Sequence, residues 1–319
     1  CGVIADKKSL KAAIVLGSLM IGTGFIVCSI AQSLITFYIF YGVFCGIGVG
    51  IGYNAWLSTI ANWFPDKSGF ASGLLLMGFG MGGMVLGSAA SLLIYSDLGW
   101  RKTFVVLGII VLLETAITLP FLRQPCSNNY KDTKDKDQAR NINTGQMLRE
   151  PTFWIFTIWK MLLTGIGQSL IGQAFLIAVD TGAGIAVATL SVGLLSIGNG
   201  AGRVLCGMFF DKVGRFITIM VISASFLILS FMLAIVYPMK AWILMCIVLC
   251  LSGFCYGAVC LITATYISDV FGTKYFKSNM GVNSMTNVPA TMIGSTLISV
   301  IKVNTGTYQP FFYIIIVIS

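Results

Sequence analysis

The sequence predicts an all-α integral membrane protein built from two parallel, pseudo-symmetric copies of one helical unit. Of its 319 residues 57% are hydrophobic, 10% are charged and none is His. Soluble domains run at about 25% charged, so this much apolar surface belongs in lipid. The apolar runs are about twenty residues long, which lets a helix rising ~1.5 Å per residue cross a ~30 Å hydrocarbon layer; barrel strands would alternate over about ten. The third observation is a repeat. Gly2 leads to Asp6-Lys7 and Gly207 leads to Asp211-Lys212 with the same spacing, at an offset of 205 residues. Gly46, Gly50 and Phe64 likewise fall on Gly253, Gly257 and Phe271, offset by 207. Parallel halves with charged loops are a construction used by secondary transporters.

Nine full spans are expected near residues 12–31, 36–61, 70–94, 103–122, 152–179, 188–210, 216–237, 241–267 and 279–301, with a tenth starting near 308. Within the second half two of them, 152–179 and 188–210, precede the loop at 207–215, so the repeat predicts two more before Gly2. The chain then reads as spans three to eleven and part of twelve of a twelve-span protein. Residues 1–122 form the first half, opened by the loop between spans two and three, and residues 151–319 the second. The polar stretch 123–150 joins them and is too hydrophilic to bury a core. Its end, Thr144-Gly-Gln-Met-Leu, offers an N-cap and two apolar residues, which predicts a short interfacial helix before span seven.

Charge sets the orientation. Of 20 Lys and Arg, 14 lie in residues 2–11 and the loops near 62–69, 123–150, 211–215 and 272–277, against four (Arg101, Lys102, Lys240, Lys302) on the opposite side. The basic side, with residues 123–150, is therefore expected in the cytoplasm. The net charge of +9 follows from this topology, and no nucleic-acid partner is expected.

Small residues recur every fourth position at Gly42, Gly46 and Gly50, at Gly78 with Gly82, Gly83 with Gly87, Gly198 with Gly202, and Gly253 with Gly257. Such stripes let helix backbones approach in lipid. The nine Cys lie mostly within spans, have no His or acidic cluster beside them, and read as packing residues, with neither metal nor cofactor expected.

The two Gly-xxx-Asp-Lys loops resemble the signature of the major facilitator superfamily. Within it, Gly50-Ile-Gly-Tyr53, Trp63-Phe-Pro-Asp-Lys-Ser-Gly69-Phe-Ala71-Ser-Gly73, Met77-Gly-Phe-Gly-Met-Gly, Gly198-Asn-Gly200-Ala-Gly-Arg203, Asp269-Val-Phe-Gly272 and Asn279-Met-Gly281 resemble the oxalate/formate antiporter family. The resemblance covers nearly the whole chain. It implies the major facilitator fold of two six-helix halves, a cell (plasma) membrane setting, and exchange or symport of small carboxylates by alternating access without ATP. The partners implied are a small anionic substrate and the bilayer, with a monomer expected.

Arg203 is the leading substrate-binding candidate. It lies eight residues before Asp211, so ~12 Å above the cytoplasmic loop, where an Arg is costly unless paired or facing water. An anion held by the guanidinium fork is one partner; snorkelling or a bond to a carbonyl is the other reading. The resemblance implies the first. It also places Asn287 where oxalate exchangers carry a second cation, which favours a monocarboxylate, and Asn199 where monocarboxylate symporters carry a proton-bearing Asp. Tyr53, Tyr256, Gln168 and Gln173 are candidate cavity residues or ordinary interhelical bonds. Lys160 reads as a Lys snorkelling to the cytoplasmic interface, with a second substrate cation as the alternative. Glu114 is a candidate proton site or a protonated helix contact. Asp6, Lys7, Asp211, Lys212 and Arg215 are candidate gating residues, able to latch helix ends and release them.

The reading is a secondary transporter of small organic anions, with antiport favoured over proton-coupled symport. A transporter-like sensor that binds without moving its ligand is the alternative of another class. An enzyme is not expected, because no His and no nucleophile-base spacing is present.

Overall fold

A computed structural model describes residues 10–64, 67–95, 98–121 and 141–319. Every regular element among these residues is helical. In chain order they are α1 (Leu10–Ile30), α2 (Leu34–Phe37), a π-helical stretch (Tyr38–Cys45), α3 (Gly46–Trp63), α4 (Ser68–Tyr95), α5 (Gly99–Thr118), α6 (Thr144–Met147), α7 (Pro151–Asp180), α8 (Ile185–Val236), α9 (Trp242–Phe271), α10 (Phe276–Met285), α11 (Asn287–Thr305) and α12 (Gln309–Ile318). Six stretches of the described residues are long and apolar enough to cross a membrane. One of them, Ile185–Val236, has 52 residues, the length of two spans.

Three details differ from the expected spans. The loop at 211–215 is reduced to Gly214 (φ 79°, ψ 178°) inside an otherwise continuous α8, a conformation that a residue with a Cβ adopts only with strain. The span expected at 36–61 widens into the π-helix Tyr38–Cys45, for which the sequence carries no signal. The span expected at 279–301 is broken at Thr286 between α10 and α11. Pro289 accounts for that break, since its ring has no N–H to give the carbonyl four residues back, at Met285, and crowds it.

The chain divides into two compact units. The first contains Cys1–Trp63, Val85–Thr144 and Asp269–Val282. Here α1 meets α3 where Gly17 and Gly48 exchange close backbone contacts, a Cβ on either falling 2.7–2.8 Å from the other's carbonyl oxygen. It meets α5 in the same way, with a Cβ at Gly108 2.8 Å from the Gly22 carbonyl. Ala13, Ile14, Ile51 and Ala55 form a buried cluster beside this crossing. Phe25, Phe37, Tyr41 and Phe104 pack edge-on and stacked at 5.4–6.1 Å between centroids, and Arg101 donates to the end carbonyls of Ser29 and Ala31. Asn279 holds the segment before α6, donating to the Ile142 carbonyl at 3.0 Å and accepting from Thr144 Oγ1 at 2.8 Å.

The second unit contains Phe64–Met84, Gly145–Ser268 and Asn283–Ser319. The short helix expected after Thr144 is present as α6, but Met147 is fully buried and so packs into protein. Within the unit α7 meets α11 through Gly165 and Gly294, and Phe156 stacks on Tyr266 with centroids 3.7 Å apart. Asp180, ending α7, pairs with Lys302 at 2.8 Å, sits 3.8 Å from Lys240 and accepts a bond from Tyr237, tying three helix ends together. Long apolar side chains such as Ile155, Ile158, Val303 and Val317 are exposed, as a lipid-facing surface requires.

Candidate functional site: a buried arginine at a glycine crossing

Backbone contact positions the site. A Cβ at Gly198 would overlap the Cys250 carbonyl, and one at Gly202 the Phe254 carbonyl; across the crossing, Gly253 and Gly257 press on the carbonyls of Leu195 and Asn199. The stripes at 198/202 and 253/257 therefore interlock α8 with α9, as expected. On the other side of α8, α4 approaches equally closely. A Cβ at Gly73 would lie 2.5 Å from the Arg203 carbonyl and one at Gly69 2.7 Å from the Gly207 carbonyl. By contrast Gly42, Gly46, Gly50, Gly78 and Gly82 have nothing within 4 Å of where a Cβ would stand, and the Gly83 and Gly87 side-chain positions lie outside the described set.

Arg203 sits between these contacts, only 3% exposed. Its Nε donates to Asn199 Oδ1 at 3.0 Å and its Nη1 to the Leu76 carbonyl at 2.7 Å. It does not snorkel; the Asn199 bond stays on its own helix face, one turn back, and the bond to the Leu76 carbonyl on α4 is the carbonyl contact named as the alternative to an anion. Asn199 is itself buried and, as an uncharged amide, brings no negative charge to the guanidinium. Close by, Tyr256 is buried and accepts from Gln168 Nε2 at 2.6 Å, and its hydroxyl lies within electrostatic range of Arg203. Arg203, Asn199, Tyr256 and Gln168 thus form one neighbourhood.

The other sequence candidates lie elsewhere. Gln173 bonds Ser299 and Tyr308, each at 3.1 Å, higher on α7. Asn287 opens α11 with its side chain exposed, and Tyr53 is half-buried in the first unit. Glu114 is exposed on α5 beside exposed Ile110, Leu113 and Ile117. Asp6 and Lys7 lie outside the described residues. Asp211 does not turn to Lys212 or Arg215: its carboxylate accepts from the backbone amides of Gly69 at 3.0 Å and Phe70 at 2.9 Å. It caps the N-terminus of α4, where the free amides and the helix dipole favour an anion. Lys212 and Arg215 are exposed.

Lys160 departs most from expectation. It is 1% exposed, and its ammonium stays inside, donating to the Asn283 carbonyl (2.9 Å), Asn283 Oδ1 (2.9 Å) and Thr286 Oγ1 (2.8 Å). Lys160 stays inside because the break at Thr286 turns the Asn283 carbonyl, the Asn283 side chain and the Thr286 hydroxyl toward α7, where they accept its three N–H groups. The signal was present as Asn283, Thr286 and Pro289 in one stretch, and it needed the pairing of span seven with span eleven to be read. Leu76 was missed for the same reason, since a backbone acceptor has no residue type.

The comparisons agree with this architecture. The profile described as Major Facilitator Superfamily matches residues 1–319. The oxalate:formate antiporter of Oxalobacter formigenes is 28% identical over 97% of this chain and 73% of its own length. An uncharacterised MFS-type transporter of Escherichia coli, YhjX, is 24% identical over 88% of this chain and 69% of its own. Monocarboxylate transporter 12 of Rattus norvegicus is 30% identical over 43% of this chain and 29% of its own. Among solved structures, the proton:xylose symporter XylE superposes with a TM-score of 0.70 at 16% identity over 97% of this chain and 78% of that one. The Escherichia coli fucose:proton symporter FucP superposes at 0.67 and 14% over 99% and 85%. With the profile match across its whole length and this all-helical fold, the chain belongs to the Major Facilitator Superfamily, as a multi-pass membrane transporter of a small molecule and not an enzyme.

Proposed function

We propose that this protein carries small organic anions across the plasma membrane by alternating access, with a monocarboxylate as the favoured substrate and antiport as the favoured mode. One observation carries the reading: a guanidinium on α8 only 3% exposed, held by Asn199 Oδ1 and the Leu76 carbonyl, with the bonded pair Tyr256 and Gln168 in the same neighbourhood. A buried charge is costly, and a small anion bound beside it lowers that cost. The guanidinium fork matches a carboxylate's two oxygens. Tyr256 and Gln168, bonded to each other beside it, supply neutral polar contacts suited to a small substrate. Asn199 cannot titrate, so exchange needs no proton carrier at that position. Sequence similarity to an oxalate:formate antiporter and a monocarboxylate transporter supports the substrate class.

Counterflow in proteoliposomes tests it. Vesicles loaded in turn with formate, lactate, pyruvate, oxalate or malonate are expected to accelerate uptake of the same labelled anion for at least one monocarboxylate. Arg203→Lys is expected to weaken apparent affinity by ~1.5–3 kcal/mol through loss of the fork geometry. Unchanged affinity in a well-expressed Arg203→Gln variant would make Arg203 structural and remove the proposal. Binding without flux would indicate a sensor.

The charge bias supports a cytoplasmic side for residues 123–150. A single Cys introduced at Asn128, with native Cys removed, is expected to resist an impermeant thiol reagent in intact cells and to react after permeabilisation. Labelling from outside reverses the topology.

A further inference from the structure

Lys160 is buried in α7, yet no carboxylate pairs with it among the described residues. Three neutral oxygens hold it instead: the Asn283 carbonyl, Asn283 Oδ1 and Thr286 Oγ1, all at 2.8–2.9 Å. These oxygens are pre-aimed. Asn283 Nδ2 is turned toward Thr157 Oγ1 at 3.5 Å, which leaves Oδ1 facing the ammonium. Thr286 gives its own proton to the Asn283 carbonyl at 2.6 Å, so its lone pairs are the part offered to Lys160. The break at Thr286 ends α10 here, and a helix C-terminus carries partial negative charge. A backbone carbonyl and side-chain oxygens at the C-terminal end of a half-helix are what transporters use to coordinate a free monovalent cation.

We infer that the oxygens of Asn283 and Thr286 form a monovalent-cation site whose occupant is the ammonium of Lys160, a cation tethered to α7. The tether accounts for each part of the arrangement. A cation at this position joins α7 to the broken span and neutralises the end of α10, and attaching it to the chain removes any dependence on a solution cation. Lys has three N–H donors, and the ring provides three acceptors. The site is separate from the anion reading of Arg203, and its test does not require the substrate to be known.

The test is to delete the tether and leave the oxygens. Purified Lys160→Ala is melted in detergent in ammonium, methylammonium or choline chloride at equal ionic strength. The variant is expected to melt below the parent in choline, which is too large for the site, and to recover at least half of the loss in ammonium or methylammonium, while the parent responds to neither. Lys160→Met refills the stem's volume without a charge; it is expected to lose stability and not respond. An Ala variant indifferent to the cation, or a Met variant that recovers equally, overturns the inference. Should Lys160→Ala fail to accumulate, Lys160→Ala/Asn283→Asp adds a carboxylate to the ring. Accumulation and a higher melting temperature in ammonium than in choline support the site, and no accumulation in any salt overturns it.

Discussion

Gly253 and Gly257 on α9 and their repeat mates Gly46 and Gly50 on α3 carry the same spacing and have different surroundings. The first pair presses on the carbonyls of Leu195 and Asn199, with no room for a methyl group, whereas nothing stands within 4 Å of a Cβ at either of the second pair. Close approach in the first unit uses Gly48 instead, reciprocally with Gly17. A small-residue stripe is therefore a permission to approach and not a record of approach. The contact forms where a partner backbone is present at the matching height, and only there does the glycine become irreplaceable.

The largest expected effect follows directly. Gly253→Ala forces a methyl group into a backbone carbonyl, which cannot rotate away as a side chain can. The loss is expected to exceed the ~1–3 kcal/mol typical of overpacking, and to appear as a lowered melting temperature and reduced folded yield. Because the Asn199 carbonyl and amide both lie against Gly257, Gly257→Ala is also expected to displace the residue that bonds Arg203, weakening substrate affinity in the fraction that folds. A Gly253→Ala protein that melts with the parent would show that α8 and α9 are held apart in solution and would sink the interlocked crossing.

The same comparison explains what could be read from the chain. The helical class, the spans and the role of Gly198, Gly202, Gly253 and Gly257 were legible because each rests on local composition or spacing. Arg203 was legible because a charge in a long apolar run is conspicuous. The acceptor at Leu76, the Lys160 ring and the capping of α4 by Asp211 were not, since each joins residues from helices far apart in sequence. For Asp211 the spacing showed a charged turn with Lys212 and Arg215 as near neighbours, and exposed basic residues are the intuitive partners. Two aligned amide N–H donors at a helix start hold a carboxylate in a better-defined geometry than exposed cations in water.

An intermediate effect is expected at that cap. Asp211→Asn keeps an oxygen for one of the two amides and gives up the charge that complements the α4 dipole, a loss of ~1 kcal/mol. The melting temperature is expected to fall modestly, and to fall more at low ionic strength, where the charge–dipole interaction is least screened.

The smallest effect is expected on the open side of the comparison. Gly46 is exposed, with no atom to meet a new methyl group. A Gly in a helix interior costs up to ~1 kcal/mol relative to Ala, so Gly46→Ala is expected to leave the melting temperature unchanged or to raise it slightly. This variant is the sharpest discriminator because its mate at Gly253 carries the opposite sign for the same substitution. A loss at Gly46 as large as that at Gly253 would mean that a helix covers this face of α3 in the working protein, as α8 covers α9. The two stripes would then differ in partner and not in kind.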